Sequence, residues 1–375
     1  LNISIQMDNV KVDELVAKTG GVKMIIFIMI LMIVLSAVLY VYTKSRFTAK
    51  QCDNIKTLYE DLGRLRSLDP SDPNVDGFLL RDFYIKTAYN CCALGSFKNS
   101  FVSDCILKQA IRQGARCLDF EIYSIDDSPV IAVSTQNDYN IKESFNYVKF
   151  GDAMQIVSDY CFSGSNCPNP KDPVLLHFRI KSNNSKMYKN MTDELLMKLK
   201  TRLLGNEYNN ENHGENLGSV EINKFMEKVI IIVDKTNNKY EKTELDEYVN
   251  IASNSIFMRA LRDYDVTFTP DHKELTNFNK KHMSFTMPDL SSDISNMKST
   301  LHMKYGCQMV GMSYQIYDDQ LQYYETFFAN KGHAFVLKPK PLRYIPVTIQ
   351  KPKDQDPKVS YANREVKADY YGFSI

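Results

Sequence analysis

From Val22 to Tyr42 the sequence reads VKMIIFIMILMIVLSAVLYVY, with Lys23 as its one charge. About 20 apolar residues at 1.5 Å rise span the roughly 30 Å hydrocarbon core of a bilayer. Tyr40 and Tyr42 close the run as interfacial aromatics, and Lys44, Arg46 and Lys50 follow. A cleaved signal peptide has a shorter apolar core and a small-residue cleavage site, and neither is evident. A soluble helix this apolar on all sides needs a large core around it. The segment 22–42 is therefore expected to be a transmembrane helix, with the lipid bilayer as its partner and residues 1–21 as a flank. Lys11, Lys18 and Lys23 lie before it and Lys44, Arg46, Lys50 and Lys56 after it. The extra basic residue tilts the expectation slightly toward a cytosolic C-terminal domain. Two Asn-x-Ser/Thr sequons, at Asn183 and Asn190, would be glycosylated only if that domain faced a lumen.

The 375 residues carry 46 basic and 45 acidic side chains, 24% charged in all. Such a balance gives no electrostatic footprint for nucleic acid, and no partner of that kind is expected. No zinc-type Cys/His spacing and no Gly-rich phosphate loop occurs. Eight cysteines are too sparse for a disulfide scaffold, and most read as buried thiols. Cys161 and Cys167 flank a Gly/Ser/Asn/Pro loop and could bridge if the domain faces an oxidising compartment, which the sequence alone does not decide.

Residues 43–80 read as a membrane-proximal helix (Ile55, Leu58, Leu62, Leu65) and a linker ending in DPSDPN (69–74). Beyond it, candidate strands at 117–123, 129–133, 173–178, 228–233, 307–314 and 334–338 alternate with helical patterns such as Val102–Gln113 and Thr192–Leu204. This alternation over some 260 residues points to an α/β fold, a (β/α)8 TIM-type barrel preceded by the transmembrane helix. The halves are 81–204 and 221–345, split by a polar linker at 205–220 that is rich in Asn and Glu. Residues 346–375 form a polar tail with terminal aromatics.

Within the two halves the sequence resembles the X–Y catalytic barrel of the phosphoinositide-specific phospholipases C. The X half carries TAYNCCALG (87–95), AIRQGARCLDFEIY (110–123) and DPVLLHF (172–178). The Y half carries FNKKHMSFTMP (278–288), YGCQMVGMSYQ (305–315) and FVLKPKPLR (335–343). The resemblance implies a phosphodiester cleavage in which the inositol 2-hydroxyl attacks phosphorus, a calcium ion offsets the developing charge, and two histidines handle protons. The residues at those positions depart from the pattern. Tyr89 stands where the first histidine is expected, before the matching Asn90, and Val133 stands at the second. Asp119 and Glu121 keep two metal carboxylates in type. Arg179 replaces a third carboxylate, and it is expected to pair with Asp119 or Glu121 and fill the pocket. The Arg-x-Tyr expected before the Y-half proline reads Phe285, Thr286, Met287; the expected phosphate lysines fall near Ile232 and Asp234, with Lys235 close by. His177, His213, His282, His302 and His333 read as scattered structural residues.

These departures imply a degenerate pocket of Asn90, Asp119, Glu121, Arg179, Phe285 and Met287, with no catalytic residues, no bound metal and no cofactor. The expected function is a membrane-anchored pseudo-enzyme serving as a structural or interaction protein. Asn- and Lys-rich composition and economy extend that expectation to a large DNA virus, with the barrel tying an internal virion membrane to capsid or other structural proteins. The competing readings are an active phospholipase C using Tyr89, Asp119, Glu121 and calcium, and a lipid head-group sensor using surface lysines such as Lys280, Lys281 and Lys338.

Overall fold

A computed structural model of the chain describes residues 2–59, 62–291, 294–346, 352, 363 and 365–374, with side chains described from Gly21 onward apart from Lys44 and Ser45. The elements run in chain order as α1 (Asn2–Tyr59), β1 (Phe83–Ala88), α2 (Asp104–Arg112), β2 (Cys117–Ile125), β3 (Ser128–Ile131), β4 (Val148–Lys149), α3 (Phe150–Cys161), β5 (Val174–Ile180), α4 (Ser185–Leu199) and α5 (Asn209–Gly214). They continue as β6 (Val229–Asp234), β7 (Ile251–Ser253), β8 (Met258–Arg262), α6 (Asp263–Thr267), α7 (His272–Lys281), β9 (Met283–Met287), α8 (Ser299–Lys304), β10 (Met309–Met312), α9 (Asp319–Lys331) and β11 (Phe335–Leu337). A hairpin, β12 (Glu365–Ala368) and β13 (Tyr371–Ser374), ends the chain.

Eight parallel strands form the barrel, in the order β7-β6-β5-β2-β1-β10-β9-β8. The order begins and ends on consecutive strands joined by a tight turn, in which Ser255 N–H donates to the Met258 carbonyl at 3.0 Å, so the sheet comes round almost to closure. Strands buried on both faces should read as continuous apolar runs, and VIIIVD in β6 and FYIKTA in β1 are buried throughout. The expected (β/α) barrel is the observed one.

Several expectations of detail need correction. The residues assigned to a membrane-proximal helix continue α1 without a break to Tyr59, and no proline interrupts the run. The chain 334–338 does form a strand, β11, but it pairs antiparallel with β1 and is not a barrel stave. The polar segment 205–220 is ordered. Glu211 N–H donates to the Val249 carbonyl at 2.7 Å, and its carboxylate accepts from Lys235 at 3.0 Å and from Tyr240 at 2.7 Å. Asn210 to His213 all hold positive φ there, a conformation that Asn tolerates better than most residues. Lys338 is buried, its ammonium donating to the Asn279 carbonyl at 2.8 Å, and burial lowers its pKa to about 7. It is not a surface lysine.

Cys161 and Cys167 are free. The Arg116 guanidinium donates to the Cys161 carbonyl at 2.9 Å and to the Cys167 sulfur at 3.0 Å, and the Cys167 thiol donates to the Cys161 carbonyl at 3.1 Å. The disulfide joins Cys52 of α1 to Cys105 of α2 instead.

The chain falls into two units, Leu1–Arg343 and Tyr344–Ile375. In the first, α1 from Gly21 onward is the one helix among the described residues long and apolar enough to cross a membrane, and its apolar window has no buried residue. In the second, Val366 pairs with Phe373 and Ala368 with Tyr371 across the hairpin. The tail segment 353–362 lies outside the described residues.

Candidate functional site

Side chains alternate along a strand, so Asp119 and Glu121 of β2 share one face, as do His177 and Arg179 of β5. The parallel register sets Asp119 beside His177 and Glu121 beside Arg179. All four point into the barrel near the C-terminal ends of the strands, where chemistry in such barrels is placed. Tyr89 and Asn90 follow directly on β1, and Asn90 takes φ 46°, which turns its backbone N–H onto Asp119 Oδ2 at 3.0 Å.

Arg179 is the centre of this cluster. Its Nε donates to Asp119 Oδ1 at 3.0 Å and its Nη2 to Asp119 Oδ2 at 3.0 Å, a bidentate pair. Nη1 reaches Glu121 Oε2 at 2.9 Å, and Nη2 also reaches Asn90 Oδ1 at 2.7 Å. The guanidinium carbon stands 4.8 Å from the Tyr89 ring centroid. With Arg179 only 3% exposed, these partners take the place of water. Burial opposes its charge, but Asp119, Tyr89 and Glu121 outweigh that and hold its pKa well above the ordinary value. Burial likewise opposes the Asp119 carboxylate, yet the Arg179 charge and the His177 hydrogen bond keep it far below the usual carboxylate range.

His177 belongs to the same network, which sequence reasoning missed. Its Nδ1 lies 2.7 Å from Asp119 Oδ1 and its Nε2 lies 2.9 Å from Ser253 Oγ. Serine, histidine and aspartate in this contact order resemble a nucleophilic triad, but all three are fully buried. The Phe285 ring, 4.4 Å from the imidazole, covers the cluster from the opposite side of the barrel. Met287 is buried two residues further along β9, and Val133 is buried just beyond β3; neither has a titratable group.

The Tyr89 hydroxyl accepts from Arg262 Nη1 at 3.2 Å, and Arg262 also donates to the Pro288 carbonyl at 2.8 Å. Lys181 continues the basic lining; burial first, then Arg179 and Arg262, lowers its pKa. Lys235 is engaged elsewhere, within 3.0 Å of Glu211 and of Glu241.

A calcium ion needs several oxygen ligands at 2.3–2.6 Å. Both Asp119 oxygens, Asn90 Oδ1 and Glu121 Oε2 already accept hydrogen bonds at 2.7–3.0 Å, and Glu121 Oε1 accepts from Tyr123. A guanidinium stands amid them, so the residues present do not fit the ion. A cavity of about 550 Å³ opens elsewhere, between the β2–β3 hairpin and α4, along Tyr147, Lys149, Glu194 and Met197.

The fold is that of a parallel barrel of the phospholipase C kind. Residues 226–341 match the family described as phosphatidylinositol-specific phospholipase C, Y domain. Among solved structures, PLC21 of L. pealei is 18% identical with a TM-score of 0.58, covering 71% of this chain and 38% of that one. PLC21 of S. officinalis gives 18%, 0.57, 71% and 38% in the same order. A calcium-dependent phosphoinositol-specific phospholipase C from a Gram-negative bacterium, Pseudomonas sp., gives 9%, 0.43, 65% and 92%. No curated protein matches the sequence. The resemblance read from the motifs is thus borne out, in the Y half by the family match and across the barrel by the fold. The chain spans 38% of the length of the PLC21 proteins.

Proposed function

We propose that this protein is a membrane-anchored, phospholipase C-like barrel that has exchanged catalysis for a structural or interaction role. The observation that carries the reading is Arg179, whose guanidinium occupies the space among Asn90, Asp119 and Glu121 and engages all three. Positions expected to handle protons hold Tyr89 and Val133, and removing even one general acid costs roughly 10²–10⁴ in rate. Anchorage rests on the length and apolarity of α1. A rigid barrel held at a membrane by one helix is suited to presenting a surface to another protein. In the viral reading that partner is a shell component and the membrane is internal to the virion.

The test is hydrolysis of phosphatidylinositol in mixed vesicles by the full chain with calcium present. No inositol phosphate or diacylglycerol is expected. Product formation that disappears in Tyr89→Phe or Asp119→Asn would overturn the proposal and establish an active phospholipase C that uses those groups.

A further inference from the structure

We infer that the barrel lies on the oxidising, glycosylating side of the membrane that α1 crosses, and that Asn183 is its N-glycan acceptor. The inference rests on the membrane-spanning reading given above. Two unrelated observations carry it.

The first is the disulfide. Cys52 and Cys105 are 53 residues apart in sequence, with Cα atoms 5.9 Å apart. It sits where α1 docks on the barrel, beside Phe47 against Phe101 at 5.8 Å and the Tyr59 hydroxyl donating to the Tyr314 carbonyl at 2.7 Å. Disulfides persist in oxidising compartments and are rare in the cytosol. Forming this one removes two electrons and two protons from the Cys52 and Cys105 thiols, passed to a disulfide-exchange oxidant that leaves as a dithiol. The other six cysteines, all buried, are kept out of that exchange. Burial pushes the Cys161 thiol up to about 12 and the Cys307 thiol up to about 11, so neither yields the thiolate that exchange requires.

The second is the sequon geometry. Asn183-Asn184-Ser185 lies in the turn between β5 and α4, with Asn183 and Ser185 exposed. Asn184 is occupied as the α4 cap, accepting from Lys186 N–H at 3.1 Å, while the Asn183 side chain has no hydrogen-bond partner among the described residues. Asn190-Met191-Thr192 is a sequon in sequence alone. It lies inside α4, its Asn190 amide donates to the Asp127 carbonyl at 2.9 Å, and Thr192 is buried. A third sequon, Asn2-Ile3-Ser4, precedes the apolar segment and so reports the opposite side. In the transfer, Asn183 Nδ2 forms a bond to the first sugar carbon of a lipid-linked oligosaccharide. The carbon–oxygen bond to the lipid diphosphate breaks, that diphosphate leaves, and the amide gives up one proton. A flank difference of one basic residue is a small term against these two features.

The full chain translated with endoplasmic-reticulum microsomes provides the test. Expected are retention in the membrane pellet after alkaline carbonate and a single N-glycosidase-sensitive mobility shift. That shift disappears in Asn183→Gln and in Ser185→Ala but persists in Asn190→Gln and Asn2→Gln. On the denatured chain a maleimide reagent should add to six cysteines before reduction and to all eight after it. No shift, a shift lost only in Asn2→Gln, or eight adducts without reduction would overturn the inference. Release by carbonate with the Asn183 shift intact would instead defeat the spanning helix while leaving the barrel in the lumen.

Discussion

Arg179 determines what the barrel's interior can do. Truncating a buried ion pair on one side leaves the other charge uncompensated, at a cost of about 3–5 kcal/mol. Arg179→Met should lose stability of that order in urea denaturation. The pH dependence has a definite sign. The Asp119 carboxyl is held below its unfolded value of about 3.9. Its stabilisation is therefore complete above that pH and fades as pH falls toward the depressed folded value. In Arg179→Met the sign reverses, because buried carboxylates without a cation have raised pKa values and gain stability as they take up protons. Denaturation from about pH 7 to about pH 4 should leave the parent nearly unchanged and stabilise the variant. Restoring histidines alone, as Tyr89→His with Val133→His, should give no phosphatidylinositol hydrolysis while Arg179 remains. Activity in that double variant would show that proton handling, and not the filled metal position, is what the chain lacks.

Elements make the cluster possible by bringing distant short strands side by side. Gly311 of β10 is one place where a side chain would be tightly crowded. A Cβ there would meet the Thr286 carbonyl oxygen and Tyr89 Cβ at 3.1 Å and Phe285 at 3.3 Å. Overpacking of this kind costs roughly 1–3 kcal/mol, so Gly311→Ala should lower the urea midpoint by a corresponding amount. The disulfide closes a chain segment of 53 residues, and removing such a bond typically costs about 2–4 kcal/mol. Cys52→Ser should lose stability on that scale and raise amide exchange selectively around Phe47 to Tyr59. Long apolar strands such as β2, β5 and β6 were legible in the sequence because both faces are buried. β7 was not, with only Ile251–Ser253 to mark it, and β8 was hidden by Arg259 and Arg262 in a five-residue strand. Spacing alone left open whether Cys161 and Cys167 are bridged; only the structure shows the pair free.

At the scale of the whole molecule, strand–helix alternation pointed to the barrel, and the family resemblance singled out the residues that cluster inside it. Asn90, Asp119, Glu121 and Arg179 could be aligned because each lies in or beside a motif that resembles the family's. His177 was passed over because its partners, Asp119 and Ser253, are 58 and 76 positions away and meet it only when the sheet curls. The apolar helix is tied to the barrel through the disulfide between Cys52 and Cys105, and the account depends on the barrel's centre being filled. Calcium titration calorimetry on the chain from Thr43 onward, beside its Arg179→Glu variant, tests that centre most directly. The account predicts no calcium heat in the parent and binding in the variant, where a third carboxylate joins Asp119 and Glu121. Calcium binding by the parent at micromolar concentration would contradict it.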